Sequence, residues 1–125
     1  MLKFSMTIGV NAGYGHQNET SNPLETATTL WQDVAAEMLS KHSLYVSAVA
    51  RETKTVYHTD WGCPVGGENT VTFEGSTNPA FVETDEELEK WKQVVLAIAS
   101  KMKDELNQST VAVEFIRLED FHYLS

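Results

Sequence analysis

Cysteine is almost absent from this chain. Cys63 stands alone among 125 residues, so no disulfide can form within it. That excludes a disulfide scaffold and fits a reducing compartment. Basic residues are scarce as well. Nine Lys and Arg face eighteen Asp and Glu, which gives a net charge of −9 and a pI near 4.8. Binding to a nucleic-acid backbone needs the opposite balance, so no nucleic-acid partner is expected. An acidic surface attracts cations instead. Long apolar runs are missing too. The amino-terminal stretch MLKFSMTIGVNAG is too short and too polar for a signal peptide or a membrane span. The expectation is a cytoplasmic protein with no membrane partner.

The usual chemical motifs are also lacking. The four histidines, His16, His42, His58 and His122, are scattered, and none forms an HxH or HxxxH pair. No metal is expected, and no cofactor. Gly13-Tyr14-Gly15 follows a strand but does not directly open a helix, so a dinucleotide-binding fingerprint fails. No GxSxG or Walker sequence occurs. Cys63 has no CxxC partner. Its neighbour His58 would be needed for a nucleophilic dyad, and a small packing role is the commoner one for such a cysteine.

What the sequence does contain is a clear order of elements. Phe4, Met6, Ile8 and Val10 alternate through a first strand over 3–10. Asn22-Pro23 supplies a cap and a proline at the first helical position. Leu24, Ala27, Leu30, Trp31, Val34 and Met38 then mark the apolar side of a first helix. A second strand is expected from Leu44 to as far as His58, bent or bulged near 51–54. A third runs from Glu68 to Glu74. Thr84-Asp85-Glu86-Glu87 is a capping box that opens a second helix reaching about residue 106. A fourth strand, 110–118, carries apolar residues on both faces and reads as central.

The order βαββαβ predicts an α+β, ferredoxin-like sandwich of four antiparallel strands with two helices on one face, in a single domain over 1–125. The other face of the sheet is then open, and apolar Val, Tyr, Phe and Ile residues of strands two to four are expected to line it. Such a face implies an oligomer or a ligand. This topology brings Tyr57, Glu68 and Glu105 to one end of the sheet, with Asp104 or Gln108 able to stand in for Glu105. It assigns the loop 11–16 to the opposite end. Taken singly, each residue also has a plainer reading: a packed tyrosine, a turn-side glutamate, a solvated helix end. Trp61 lies in the loop beside Tyr57, where it can cover a ligand or meet another subunit.

Tyr57, the ten-residue loop 58–67 and the strand start Glu68-Asn69-Thr70-Val71 resemble the bacteriophage S-adenosylmethionine hydrolase/lyase family. The likeness in element order spans about residues 4–118. It implies a metal-independent homotrimer with S-adenosylmethionine held between subunits, in a phage protein that blunts host restriction. It also implies Glu68 and Tyr57 as active-site residues and Glu105 as the helix-end residue, with Asp104 and Gln108 as competitors. Under that reading Glu68 pairs with the substrate's ammonium, Tyr57 orients Glu68 or the methionyl tail, and Glu105 accepts from the ribose.

The chemistry favours a lyase over a hydrolase. A sulfonium is already an excellent leaving group, and the substrate's own carboxylate can displace it. Positioning suffices, whereas a hydrolase needs a poised base that the sequence does not display. The products would be methylthioadenosine and homoserine lactone. Two rival readings stand beside this one. The first is a non-enzymatic, acidic anti-defence protein, which predicts carboxylates gathered on one face. The second is a dimeric α+β barrel enzyme, which predicts facing sheets. Lys90, Lys92, Lys101 and Lys103 break up the acidity of the second helix and weigh against the first.

Overall fold

The computed structural model of the protein describes residues 1–11 and 21–125. The elements are β1 (Leu2–Gly9), α1 (Pro23–His42), β2 (Val49–Thr55), a 3₁₀ turn (Thr59–Trp61), β3 (Glu68–Ser76), α2 (Asp85–Glu105) and β4 (Ala112–Arg117). The strands form one antiparallel sheet in the order β2-β3-β1-β4, with the helices packed on one side. This is the ferredoxin-like arrangement that the sequence predicts.

Alternation in β1 and β3 builds the core. Phe4, Met6, Ile8, Val71 and Phe73 point toward the helices and are at most 1% exposed. Burying each such side chain contributes roughly 1.5–3 kcal/mol. The helices answer with one tryptophan each. Trp31 stacks on Phe73 at 4.6 Å and on Phe4 at 5.7 Å, while Trp91 packs against Phe4 and Phe115. Helix α1 starts where Asn22 accepts from the Glu25 amide, with Pro23 at the first position. Helix α2 starts at the complete Thr84–Glu87 capping box.

Four expectations are corrected. The second strand is shorter than 44–58, because residues 44–48 are held by α1 instead of by a neighbouring strand. Trp31 Nε1 donates to the Val46 carbonyl at 3.3 Å, and Val46 is buried. No bulge interrupts β2 either; its register with β3 is continuous from Val49–Glu74 to Thr55–Glu68. Among the described residues the fourth strand is an edge, paired only to β1. Its inward residues Val113 and Phe115 meet the core, while Ala112 and Ile116 stand exposed on the other face.

The open face is the fourth correction. The register puts Thr7, Thr53, Thr55, Thr70 and Thr72 on it, not a band of large apolar side chains. Their hydroxyls form an unbroken chain: Thr7 to Thr72 at 3.1 Å, Thr72 to Thr53 at 3.0 Å, Thr53 to Thr70 at 2.7 Å, and Thr70 to Thr55 at 3.2 Å. Thr70 and Thr72 are buried by these neighbours. Their mutual hydrogen bonds satisfy the polar groups that burial would otherwise leave unpaired.

Candidate functional site

Tyr57 lies two residues beyond β2 and keeps the parity of Thr53 and Thr55, which is that of the open face. Glu68 opens β3 opposite Thr55 on the same face. The loop between them has to turn the chain back. Gly67 makes this possible at φ +100°, where a Cβ would sit 3.0 Å from a Val56 methyl and 3.3 Å from the Thr55 carbonyl. The Cys63 thiol is buried against the Thr55 and Pro64 carbonyls, a packing position. The two ends of the loop are thereby joined: Tyr57 Oη donates to Glu68 Oε2 at 3.1 Å.

A third group arrives from the end of α2. Asn107 adopts a left-handed conformation, φ 54°. The Gln108 amide then bonds back to the Lys103 carbonyl at 2.9 Å, and that of Asn107 to Asp104 at 3.2 Å. This is a Schellman ending, with asparagine in the place usually taken by glycine. It swings Gln108 off the helix and over the end of β1. Gln108 Nε2 donates to the Asn11 carbonyl at 2.7 Å and to the Leu106 carbonyl at 3.0 Å. Gly9, the last residue of β1, lies beneath. A Cβ there would fall 2.8 Å from Glu68 Oε1 and nearer still to Gln108 Oε1. Gly9, Glu68 and Gln108 therefore meet at one corner of the open face, with Tyr57 behind Glu68.

The remaining candidates stand apart from this corner. Glu105 is exposed and paired with Lys101 at 3.7 Å; Asp104 is exposed and lies 3.3 Å from Lys103. Trp61 is 75% exposed on the 3₁₀ turn, with its ring against His58. The loop 11–16 was expected at the far end. Asn11 is at the Glu68 end instead, because β1 is antiparallel to β3 and finishes where β3 begins. Residues 12–16 lie outside the described residues. Gly9 was not singled out from sequence. Its signal is weak: a glycine closing a strand at an outward-facing position.

Elsewhere, a groove of about 970 Å³ opens at the opposite end of the sheet. Tyr45, Phe81, Phe121 and Tyr123 line it, beside Lys3 and Glu74. Glu74 binds Arg51 at 2.9 Å and Lys3 at 3.1 Å, and these two cations, Arg51 foremost, hold its carboxyl down at about 2. Among the described residues, no cluster of three or more His, Cys, Asp or Glu side chains is placed to hold a metal ion, and no helix is long and apolar enough to cross a membrane.

Comparison with known proteins places the chain. The family model described as SAM lyase matches residues 1–125. Among solved structures, a phage SAM lyase in complex with S-methyl-5′-thioadenosine is similar at 15% identity, with a TM-score of 0.58, over 92% of this chain and 79% of that one. A phage SAM lyase in the apo state is similar at 16% identity, with a TM-score of 0.52, over 97% of this chain and 92% of that one. No curated protein matches the sequence. The structural likenesses carry the fold, while the family match spans the whole length. The chain belongs to the SAM lyase family, whose members are S-adenosylmethionine-degrading lyases.

Proposed function

We propose that the protein opens S-adenosylmethionine by intramolecular displacement, giving methylthioadenosine and homoserine lactone. A carboxylate oxygen of the methionyl tail attacks its own γ-carbon. The new C–O bond closes a five-membered ring as the Cγ–S bond breaks, and the electron pair leaves on sulfur as a neutral thioether. No proton moves and no water enters. The protein's task is to hold the tail folded and keep its charges in place.

The observation that carries this reading is the Tyr57–Glu68 hydrogen bond at the sheet corner, in a chain of this family. Glu68 offers a fixed negative charge to the substrate's ammonium, and Tyr57 holds that carboxylate in one orientation. With the ammonium anchored there, the neighbouring carboxylate is left free to fold onto the γ-carbon. Gln108 takes the helix-end position nearest the corner. Glu105 and Asp104 stand apart from it on the exposed helix surface beside Lys101 and Lys103, and would accept from ribose hydroxyls only on a substrate that extends past the protomer's edge.

Adenine recognition supports an assembly. A purine favours an aromatic or apolar surface, yet the open face beside Glu68 is lined by threonine hydroxyls. Among the described residues, the large aromatic-lined groove lies at the other end of the same sheet. Head-to-tail contact would bring one protomer's groove to its neighbour's Glu68 corner, and a head-to-tail contact forms a ring when its rotation closes. Trp61, with Val56 and Val65 also exposed, would sit in that contact. A homotrimer with shared sites, acting without metal in the cytoplasm of a phage-infected cell and depleting the methyl donor used in restriction-modification, is the full form of the proposal. Calorimetric titration with S-adenosylmethionine tests it, followed by chromatography of the mixture. Binding and release of methylthioadenosine are expected; neither binding nor turnover would overturn it.

A further inference from the structure

We infer that Gly9 is a positioning residue for Glu68: having no side chain, it seats the carboxylate on the end of β1, and Gln108 closes the seat on the far side. This rests on the reading of S-adenosylmethionine as substrate and adds to it how the Glu68 charge is kept in place.

The carboxylate is held from both sides of β3. On the β2 side, Glu68 is paired with Thr55, and Tyr57 just beyond donates to Oε2. On the other side β1 ends at Gly9, which is paired with Thr70, two residues along β3 from Glu68. A diagonal neighbour at that spacing is within reach of a long side chain. Glu68 Oε1 accordingly comes down over the Gly9 backbone, beside the Gln108 amide. Gly9 is buried beneath them, although Ser5 and Thr7 on the same face of β1 are only partly covered.

Glycine weakens a strand, and its presence there marks a place that another group approaches closely. A methyl group at position 9 would stand 2.8 Å from Glu68 Oε1 and 3.0 Å from Gln108 Cδ, and nearer still to Gln108 Oε1. Gln108 resists displacement, because both N–H groups of its amide are spent on the carbonyls of Asn11 and Leu106. Glu68 is the freer of the two, tied by the single bond from Tyr57. The methyl therefore lifts the carboxylate off β1 and moves its charge away from the position Tyr57 fixes.

The test reads two ligands and a double-mutant cycle. Gly9→Ala should lower kcat/KM for S-adenosylmethionine roughly 10- to 100-fold, the scale of a misplaced site group. Its affinity for methylthioadenosine, which has neither ammonium nor carboxylate, should stay within about threefold of wild type, as for independent sites. In a Glu68→Ala background the displaced group is gone, so Gly9→Ala should cost no more than about threefold further. Gln108→Ala removes the stop without crowding the seat. It should show the same pattern at about 3- to 10-fold, which keeps the test open if Gly9→Ala folds poorly. Losses that multiply with that of Glu68→Ala, methylthioadenosine binding that weakens alongside, or full activity in both single variants would overturn the seat while leaving wild-type turnover intact. Absence of wild-type turnover would instead remove the substrate reading, and the seat's role with it.

Discussion

Tyr57 and Glu68 are joined by a 3.1 Å hydrogen bond across a loop whose other side chains mostly face solvent or each other. The bond fixes one carboxylate oxygen and leaves the other aimed over Gly9. Glu68→Gln keeps the shape and removes the charge. The expected cost is about 2–4 kcal/mol, or roughly 30- to 700-fold in kcat/KM. Tyr57→Phe should cost about 1.5–3 kcal/mol in the same measurement, as the loss of a hydrogen bond to a charged group. Melting temperatures of both variants should stay close to wild type, because neither residue belongs to the buried core.

Site sharing can be tested by mixing. Glu68→Gln lacks the charged corner, whereas a Tyr45→Ala/Tyr123→Ala double variant lacks the aromatic wall but keeps Glu68. Each alone should be nearly inactive. Refolded together, they should regain up to about a quarter of wild-type activity by random pairing around a ring contact. Trp61→Ala should lower the assembly's mass in light scattering. Regained activity that fails to appear, with mixed oligomers demonstrated, would confine the site to one protomer.

The acid limb of stability should run through Glu74. Its carboxyl is held at about 2 by Arg51 and Lys3, below the unfolded value of 4.5. A lowered folded value means stability that is complete above about pH 4.5 and is lost as pH falls toward about 2. Glu74→Gln should therefore lower the melting temperature at pH 7 and flatten its fall across that window. Partial exposure keeps the effect small, under about 1 kcal/mol per pair.

Helix α2 offers a control outside the site. Thr84→Ala removes one half of the capping box and should cost about 1 kcal/mol, or roughly 4 °C in a thermal melt, with no change in kcat/KM beyond that from unfolded protein.

Much of this was legible in the sequence, for reasons that differ between regions. Alternation through Phe4–Met6–Ile8 and the capping box at Thr84 dictate local structure directly, so the sandwich followed. Tyr57 and Glu68 could be paired because a hairpin joins them and parity places both on one face. The threonine face was equally readable: Thr70 and Thr72 alternate with Val71 and Phe73, so the apolar residues had to turn inward. The helix end was harder to read. Glu105 and Gln108 are three positions apart, and Gln108 reaches the Glu68 corner because Asn107 enters a left-handed conformation, which no periodicity reveals. Gly9 was hidden further, since its role comes from side chains that fold over it from positions 68 and 108.

The central claim is that the substrate's own carboxylate, not water, breaks the Cγ–S bond. Turnover in ¹⁸O-labelled water, followed by mass spectrometry of the four-carbon product, decides it. Displacement by the carboxylate predicts unlabelled homoserine lactone at early times, and its later opening at the acyl carbon places the label in the carboxyl group. Homoserine carrying the label in its γ-hydroxyl from the first turnover would contradict the account.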